Sequence, residues 1–237
     1  MNTELPRIAV IIPALNEEAS LPKVLADLPW KQLKEVVVVD NGSSDRTATV
    51  AQDCGATVLR EMRRGYGWAC LAGISYLKDK QLDSPPDMVV FLDADYSDYP
   101  DDLEDVIRPI VDGGYDMVIG SRTKRAEPGA LLPHARFGNR LATGLIRVLY
   151  GFTYTDLGPF RAIRFAELLS LDMQDQTYGW TVEMQIKAIR LGLQITEVPV
   201  RYRQRIGQSK VSGTIKGTIL AGYKILWTVF RYARRSV

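Results

Sequence analysis

Cysteine and histidine are scarce in this chain, which excludes two classes of small domain. Its 237 residues include two cysteines, Cys54 and Cys70, and one histidine, His134. These three side chains cannot supply the four ligands of a structural zinc site. Two cysteines are also too few for a disulfide framework, so a reducing compartment suits the chain better than an extracellular one.

The chain also lacks an excess of charge of one sign and long apolar runs. It has 30 Lys and Arg residues against 28 Asp and Glu residues, a formal net charge of +2, so no overall positive charge attracts nucleic acid. No uncharged apolar run approaches the roughly 20 residues that span a bilayer. The first residues, Met-Asn-Thr-Glu-Leu-Pro-Arg, do not have the pattern of a signal peptide, and we expect a cytoplasmic protein.

The first half of the chain alternates between short apolar runs and segments of helical period. The predicted strands are Ile8–Ile12, Val36–Val39, Thr57–Arg60, Met88–Leu92 and Met117–Gly120, and the predicted helices are Glu17–Leu28, Thr47–Cys54, Gly67–Leu77 and Asp101–Val111. This alternation predicts an α/β fold in which a mostly parallel sheet has helices on both faces.

The second half has a less regular pattern. Residues 123–133 have no clear period and predict a mobile loop, while Pro199 favours an edge strand over Ile195–Tyr202. The other predicted elements are an amphipathic basic segment at Arg136–Tyr150, a strand or turn at Asp156–Ile163, and helices near Phe165–Leu171, Thr181–Leu191 and Thr214–Arg234.

Two aspartates directly follow the fourth predicted strand. Asp93 and Asp95 are one residue apart, at the strand end where open α/β sheets bind ligands. Two nearby carboxylates need a cation between them, or one must be protonated. Mg²⁺ or Mn²⁺, held by carboxylates and substrate phosphates, is the cation that fits such oxygen ligands. Taken alone, an Asp-x-Asp pattern is equally compatible with a solvated turn.

Polar residues also follow the other predicted strands of the first half, and they strengthen the case for a site. They are Asn16 and Glu17 after the first strand, Asp40 and Asn41 after the second, and Ser121 and Arg122 after the fifth. In a parallel sheet these strand ends converge on one crevice. Agreement among four separate loops is more specific than a single Asp-x-Asp.

Several stretches resemble family 2 of the inverting glycosyltransferases, which have the GT-A fold. They are Ile12-Pro13-Ala14-Leu15-Asn16-Glu17-Glu18, Val38-Val39-Asp40-Asn41-Gly42-Ser43-Ser44-Asp45, Leu92-Asp93-Ala94-Asp95 and Gly120-Ser121-Arg122. Three later stretches resemble the branch that contains dolichyl-phosphate mannose synthases and other polyprenyl-phosphate glycosyltransferases. These are Phe137-Gly138-Asn139-Arg140, Asp156-Leu157-Gly158-Pro159-Phe160-Arg161 and Gly207-Gln208-Ser209-Lys210.

The resemblance implies a nucleotide-sugar donor, a GDP- or UDP-hexose, and a divalent metal at Asp93 and Asp95. The implied donor-binding residues are Pro13, Ala14, Asn16, Glu17, Asp40, Asp93 and Ala94. Glu17 could instead stabilise the N-terminus of the predicted helix, where an acidic side chain is favourable, and Asp40 could form an Asx-turn. Asn41 stands where many members have a second aspartate, so we expect the nucleotide to depend mainly on Asp40. The glycines of Arg63-Arg64-Gly65-Tyr66-Gly67 would allow close approach to the donor or simply form a turn.

The implied acceptor is a polyprenyl phosphate, which is already anionic near neutral pH because the second pKa of a phosphate is about 6. Arginine matches phosphate geometry, and the predicted phosphate-binding residues are Arg122, Arg136, Arg140, Arg205 and Lys210. Arg201 and Arg203 alternate along the predicted edge strand, and we expect them at the surface. The alternative acceptor is a sugar or small-molecule hydroxyl, which would need a carboxylate base.

The predicted catalytic residues are Asp95, Asp156 and Glu183. Asp95 would act through the metal, whereas Asp156 and Glu183 could face the sugar or act as a base. Other interpretations are an ion pair between Asp156 and Arg161, and a helix start at Glu183 with Thr181 as its cap.

The segment at Thr214–Val237 predicts a basic amphipathic helix, with Ile219, Tyr223, Leu226 and Phe230 on one face. Such a helix can lie on a membrane surface, and a polyprenyl substrate favours that interpretation, with Leu131–Leu132 and Leu145–Tyr150 as a second contact. Packing against the domain or another subunit is the alternative. We expect one domain with a donor half at 1–122, an acceptor half at 123–212 and this helix at 213–237, peripheral on the cytoplasmic face of a membrane.

Two competing classes of protein share parts of this pattern. A dinucleotide-dependent oxidoreductase needs Gly-x-Gly-x-x-Gly after the first strand, where this chain has Pro-Ala-Leu-Asn-Glu-Glu, so we set that class aside. A non-catalytic nucleotide-sugar-binding protein is harder to separate, although it would not need both metal carboxylates and the downstream arginines.

Overall fold

The computed structural model describes residues 6–79, 85–207 and 215–233. Seven strands form one sheet in the order β3-β2-β1-β4-β6-β5-β7. The strands are β1 (Ile8–Ala14), β2 (Leu33–Asp40), β3 (Thr57–Arg60), β4 (Met88–Phe91), β5 (Met117–Ala126), β6 (Arg161–Arg164) and β7 (Ile195–Tyr202). The helices are α1 (Leu21–Ala26), α2 (Thr47–Asp53), α3 (Tyr66–Asp79), α4 (Leu103–Gly113), α5 (Pro133–Tyr150), α6 (Phe165–Ser170), α7 (Trp180–Arg190) and α8 (Ile215–Ala233).

The apolar strands are buried on both faces of the sheet, which explains why their sequences are continuous apolar runs. Alternate residues of β1 belong to different cores, since Ile11 packs in the cluster with Trp180 and Val10 packs in the cluster with Leu103. Helices α3, α6 and α7 cover the first face, and α1 and α4 cover the second. The predicted α/β architecture with helices on both faces is confirmed.

The sheet is mostly parallel, as predicted. Strand β1 pairs in parallel with β2 and β4, β2 with β3, and β5 with β7, whereas β6 is antiparallel to both of its neighbours, β4 and β5. Strand β7 lies at one edge of the sheet. The missing N–H of Pro199 costs least at an edge strand, which explains the tolerance of proline at this position.

Several predicted boundaries differ from the structure. The first helix begins at Leu21 instead of Glu17, because residues 15–20 form a turn that includes Asn16 in the left-handed region, at φ 53°. Strand β5 continues to Ala126 because it pairs with β7 as far as Tyr202. The predicted loop at 123–133 is therefore shorter, and the predicted strand or turn at 156–163 becomes a loop followed by β6.

Helices α5 and α8 pack against each other, and both also contact α7. The buried side of α8 includes Thr228, Val229 and Tyr232. Both helices also expose large apolar side chains, namely Phe137, Leu141, Val148 and Leu149 on α5 and Ile219, Leu220, Tyr223, Trp227 and Phe230 on α8. Within the described ranges, no helix combines the length and apolar character that crossing a membrane requires.

The start of α3 is packed too tightly to accept a side chain at Gly67. A Cβ at Gly67 would overlap the carbonyl oxygen of Asp175, whereas a Cβ at Gly144 in α5 would meet nothing within 4 Å. We expect Gly67→Ala to lower the free energy of unfolding by about 1–3 kcal/mol through overpacking. The matched change Gly144→Ala should raise it by up to about 1 kcal/mol through helix propensity. Urea midpoints would measure both changes, and equal shifts in the two variants would contradict this account.

Candidate active site

A cavity of about 310 Å³ opens at the carboxyl ends of β1, β2 and β4. We call it the carboxylate cavity because Glu17, Asp93 and Asp95 contribute to its wall. Its lining also contains Pro13, Ala14, Leu15, Asn41, Arg64, Gly65, Tyr66, Ala69, Ala94, Thr177, Tyr178 and Arg205. The structure therefore brings together residues from three of the four predicted strand ends, as convergence in a parallel sheet requires.

Asp93 and Asp95 lie side by side in this cavity, but their oxygens have different partners. Oδ1 of Asp93 accepts a hydrogen bond from the Tyr66 hydroxyl at 3.1 Å. Oδ1 of Asp95 accepts bonds from the Ser97 amide at 2.9 Å and the Ser97 hydroxyl at 2.5 Å, while Oδ2 lies 2.9 Å from Nη2 of Arg205. Burial, together with the charge of Asp95, raises the pKa of Asp93 to about 7.

A third carboxylate, Asp98, was not anticipated from the sequence. It is 1% exposed, and neither of its side-chain oxygens has a hydrogen-bond partner. Burial raises the pKa of Asp98 well above its usual range, and the charges of Asp93 and Asp95 raise it further. The sequence does contain a signal for Asp98, because three aspartates fall within six residues, but spacing along the chain cannot show which of them is buried.

These carboxylates suit a divalent cation. Burial and the charge of Asp95 raise the pKa of Asp93, and the oxygens of Asp98 have no hydrogen-bond partner, so negative charge at this strand end lacks full compensation. In the part of the chain that the structure describes, no three His, Cys, Asp or Glu side chains are arranged to enclose a metal. Asp93 and Asp95 would therefore hold a cation such as Mg²⁺ together with ligands from a substrate, the usual arrangement for that ion.

The predicted donor residues divide into two groups. Pro13, Ala14, Glu17 and Ala94 line the carboxylate cavity, whereas Asn16 and Asp40 do not. Oδ1 of Asn16 accepts a bond from the Ser44 amide at 2.8 Å, and Oδ1 of Asp40 accepts one from the Ser43 amide at 2.9 Å. Both side chains thus organise the loop after β2. For Asp40 this resembles the alternative Asx-turn, although the donor amide lies three residues further along the chain instead of two.

Glu17 precedes α1 and does not begin a helix. Its Oε2 accepts a bond from the Ser20 hydroxyl at 2.5 Å, and its Oε1 lies 3.6 Å from Nη2 of Arg205. The backbone of Glu17 donates to Oγ1 of Thr47 at 2.8 Å, which fixes the turn after β1 against α2. The carboxylate is therefore directed towards the cavity.

Asn41 holds the turn that carries Arg64. Its Nδ2 donates to the carbonyl oxygens of Glu61 and Arg63 at 3.0 and 2.8 Å, and its Oδ1 accepts from the Gly65 amide at 2.8 Å. An aspartate has no donor for the two carbonyl groups. Asn41 is thus more than a weaker substitute for an aspartate, because its side chain holds the cavity wall in place. The Arg63–Gly67 stretch, for which we considered both donor contact and a simple turn, contributes Arg64, Gly65 and Tyr66 to that wall.

A second cavity of about 840 Å³ adjoins the first, between the end of β5, α5 and the segment after β7. We call it the arginine cavity because Arg122, Arg136, Arg140 and Arg205 line it. Asp156 is the only acid among its described lining residues, and an apolar wall is formed by Ala126, Ala130, Leu131, Leu132 and Ala135. The structure brings four of the five predicted phosphate-binding residues together, whereas Lys210 lies outside the described residues.

Asp156 is bound by Arg122, not by Arg161. Its carboxylate accepts bonds from Nε and Nη2 of Arg122 at 2.7 Å each and from the Arg122 amide at 2.8 Å. Burial opposes ionisation of Asp156, but the guanidinium outweighs it and holds the pKa of this carboxyl below its usual range. A carboxylate with a lowered pKa is a poor base, so the geometry argues against the predicted catalytic role. Arg161 instead donates to carbonyl oxygens, including that of Thr181.

Glu183 lies outside the lining of both cavities. Its carboxylate accepts bonds from the amides of Gln174 and Asp175 and from the Tyr232 hydroxyl, and Lys187 lies 3.0 Å away. The predicted role as a base therefore does not fit, and neither does Thr181 as a cap, since α7 begins at Trp180 without a side-chain cap. Glu183 holds the loop that carries Thr177 and Tyr178 to the carboxylate cavity.

Arg201 and Arg203 are not the simple surface residues that we expected. Arg201 pairs with Asp102 at 2.7 Å. The guanidinium of Arg203 lies between two aromatic rings, 3.3 Å from the centroid of Tyr96 and 4.0 Å from that of Tyr99. Both arginines fasten β7 and the segment after it to the loop that follows β4, which contains Asp95.

Comparison with known proteins agrees with this geometry. Residues 9–170 match the model of glycosyl transferase family 2. An undecaprenyl-phosphate mannosyltransferase of Micrococcus luteus is 34% identical over 89% of this chain and 90% of its own length. A dolichyl-phosphate hexose transferase of Haloferax volcanii is 34% identical over 86% of each chain.

A solved structure supports the fold. Glucosyl-3-phosphoglycerate synthase from Mycobacterium tuberculosis, in complex with Mn²⁺, UDP and glucosyl-3-phosphoglycerate, superposes with a TM-score of 0.77 over 98% of this chain and 81% of that one, at 22% identity. At this identity the likeness concerns the GT-A architecture alone. The family match and the relatives, taken with the converging strand ends, show that this chain is a glycosyltransferase and belongs to family 2.

Proposed function

We propose that this glycosyltransferase moves a hexose from a nucleotide sugar to a polyprenyl phosphate, with inversion and with a divalent metal. The observation that carries the proposal is the composition of the arginine cavity. Its described lining residues combine four arginines with one acid, Asp156, and that acid is already bound by Arg122. The cavity therefore suits an anionic acceptor. The names of the two relatives that act on lipid phosphates support the same acceptor class.

The chemistry follows from the charges of the acceptor and the leaving group. A hydroxyl acceptor would need a base to remove its proton, and among the described lining residues of the arginine cavity the one carboxylate, Asp156, is bound by Arg122. A phosphate monoester is already charged near neutral pH, so Arg136 and Arg140 need only bind and orient it. In the adjoining carboxylate cavity, Asp93 and Asp95 would hold Mg²⁺ or Mn²⁺, which when bound neutralises the departing diphosphate.

The carboxylate cavity would bind the nucleotide sugar, a GDP- or UDP-hexose. Pro13, Ala14 and Asn41 would contact the nucleoside, and Arg64 would approach it from the turn that Asn41 holds. The proposed division into a donor half at 1–122 and an acceptor half at 123–212 needs adjustment. Thr177, Tyr178 and Arg205 belong to the second half but line the carboxylate cavity, and Arg122 belongs to the first half but lines the arginine cavity.

The exposed faces of α5 and α8 would place the enzyme on the cytoplasmic face of a membrane. Helix α5 carries Arg136 and Arg140 in the cavity and exposes Phe137 and Leu141 beside them. A lipid acceptor needs both an apolar surface and a phosphate site, and an amphipathic helix at the interface supplies both. Arg231 on α8 would add attraction to anionic headgroups.

The metal and the acceptor class can be tested in one transfer assay. With UDP- or GDP-hexose and a short polyprenyl phosphate, we expect turnover that excess chelator abolishes and Mn²⁺ or Mg²⁺ restores. Asp95→Asn should nearly abolish turnover because it removes charge from the cation site, whereas Asp105→Asn, an exposed acid on α4, should not. Full activity in chelator would exclude the metal, and transfer to free sugars or phosphoglyceric acid alone would exclude the lipid acceptor.

The arginines of the arginine cavity should contribute to binding of the acceptor and not of the donor. Arg136→Ala removes a charge-assisted contact of roughly 1.5–3 kcal/mol, so we expect the acceptor KM to rise on the order of tenfold to a hundredfold while the donor KM changes little. Arg147→Ala is the matched control, since Arg147 is exposed on the same helix but outside the cavity. An equal rise in both KM values for Arg136→Ala would argue against an acceptor role.

The α8 face should be needed for binding to vesicles. Phe230 is 46% exposed, and Phe230→Glu should lower the partition of the protein into anionic liposomes without a large change in melting temperature, because it places a charge in the apolar contact. Val111→Glu alters an exposed apolar residue on α4, which covers the opposite face of the sheet, and should leave the partition unchanged. Loss of a dimer with intact vesicle binding would make α8 a subunit contact.

A further inference from the structure

Arg205 occupies a position between the two cavities. Among residues 6–79, 85–207 and 215–233, it alone lines both the carboxylate cavity and the arginine cavity. Its Nη2 lies 2.9 Å from Oδ2 of Asp95 and 3.6 Å from Oε1 of Glu17. Arg205, which the sequence predicts to bind phosphate, is therefore paired in the structure with two carboxylates of the carboxylate cavity.

The contact with Asp95 uses the oxygen that a cation would need. Oδ1 of Asp95 already accepts two hydrogen bonds from Ser97, so Oδ2 is the oxygen with capacity for a further partner. A divalent cation at Oδ2 and the guanidinium of Arg205 carry charges of the same sign and would lie next to each other. Because like charges repel in a partly buried site, the two compete for this carboxylate.

The backbone around Arg205 is fixed, but the side chain has a second place to go. The Arg203 amide donates to the Ser97 carbonyl at 2.9 Å, and the Ile206 amide donates to the Asp95 carbonyl at 3.0 Å. These two bonds hold the segment on both sides of Arg205. The side chain itself is 30% exposed, and its Nε is buried without a hydrogen-bond partner. Because Arg205 lines both cavities, a change of its side-chain rotamer is the movement that would carry its charge from one to the other.

We propose that Arg205 is a positioning residue that couples the two substrates: it holds Asp95 and Glu17 until a divalent cation binds there, and it then turns into the arginine cavity to bind the anionic acceptor. This inference rests on the proposed function, because it needs a cation at Asp95 and an anion in the arginine cavity. In that cavity Arg122 is already neutralised by Asp156. Arg205 would thus supply a positive charge that is not available to the acceptor until the cation has bound.

The coupling has a thermodynamic consequence. If the cation releases Arg205 to the acceptor, cation binding raises acceptor affinity, and the acceptor raises cation affinity by the same factor. The acceptor would then bind more tightly to the enzyme that already holds the donor and its metal than to the free enzyme. An acceptor that arrives first meets a cavity in which Arg205 is still held by Asp95, which disfavours unproductive binding.

The competition can be measured with Mn²⁺ alone, without nucleotide and without turnover. The electron paramagnetic resonance signal of free Mn²⁺ gives its affinity for the wild type, Arg205→Gln and Arg140→Gln. We expect Arg205→Gln to bind Mn²⁺ about tenfold more tightly, because a competing cation is removed. Arg140→Gln alters an arginine of the same cavity that has no ion pair with Asp95 in the structure, and it should leave Mn²⁺ affinity unchanged. Arg205→Lys, which keeps the charge, should resemble the wild type.

The second measurement is binding of geranyl phosphate by titration calorimetry, with and without Mn²⁺ and a nucleoside diphosphate. For the wild type we expect about tenfold tighter binding when Mn²⁺ and the nucleotide are present. Arg205→Gln should bind geranyl phosphate weakly under both conditions. Arg140→Gln should bind it more weakly than the wild type but keep the gain.

Two results would overturn the proposal in distinguishable ways. If Arg205→Gln binds Mn²⁺ no more tightly than the wild type, or keeps the full gain with geranyl phosphate, Arg205 does not couple the cavities, while the proposed function stands. If geranyl phosphate binds none of the proteins under either condition, the lipid-phosphate acceptor and the second half of the coupling both fail. The Mn²⁺ comparison then decides whether Arg205 competes at Asp95 at all.

Discussion

The crowding of acidic side chains at the carboxyl end of the sheet is the constraint on which the rest of the site depends. Asp93, Asp95 and Asp98 follow β4, and Glu17 joins them from the turn after β1. Burial there raises the pKa of Asp93 and of Asp98. The negative charge needs a positive partner, and in this structure the guanidinium of Arg205 provides it for Asp95 and Glu17. A divalent cation that binds Asp95 must therefore compete with this guanidinium.

Buried polar residues away from the chemistry shape the cavity in which this charge lies. Asn41 fixes the turn at 61–65, and Glu183 fixes residues 174 and 175 and binds Tyr232 of α8. A buried carboxylate or amide is stable only when its hydrogen bonds are made. Asn41 makes them with backbone groups, and Glu183 makes them with two backbone amides, the Tyr232 hydroxyl and Lys187. Their importance is architectural, since they place Arg64 and Tyr178 at the wall of the carboxylate cavity.

Helix α5 links the chemistry to the environment of the acceptor. Arg136 and Arg140 are one turn apart and line the arginine cavity, whereas Phe137 and Leu141 on the same helix are exposed. Under the proposed function, one helix would bind the phosphate on one side and contact lipid on the other. The pairing of Asp156 with Arg122 fits this picture, because an acceptor that is already anionic needs no base.

The sequence by itself determined the alternating sheet architecture, the convergence of polar strand ends and the family, because burial in a parallel sheet produces apolar runs that end in ligand-binding loops. It could not determine which charged groups pair with one another. Asp156 binds Arg122 and not Arg161, Glu183 binds backbone, and Arg205 reaches Asp95 from a segment 110 residues later in the chain. Only the tertiary structure decided these partners, since electrostatic and hydrogen-bonding interactions act over a few ångströms in space and leave no fixed spacing along the chain.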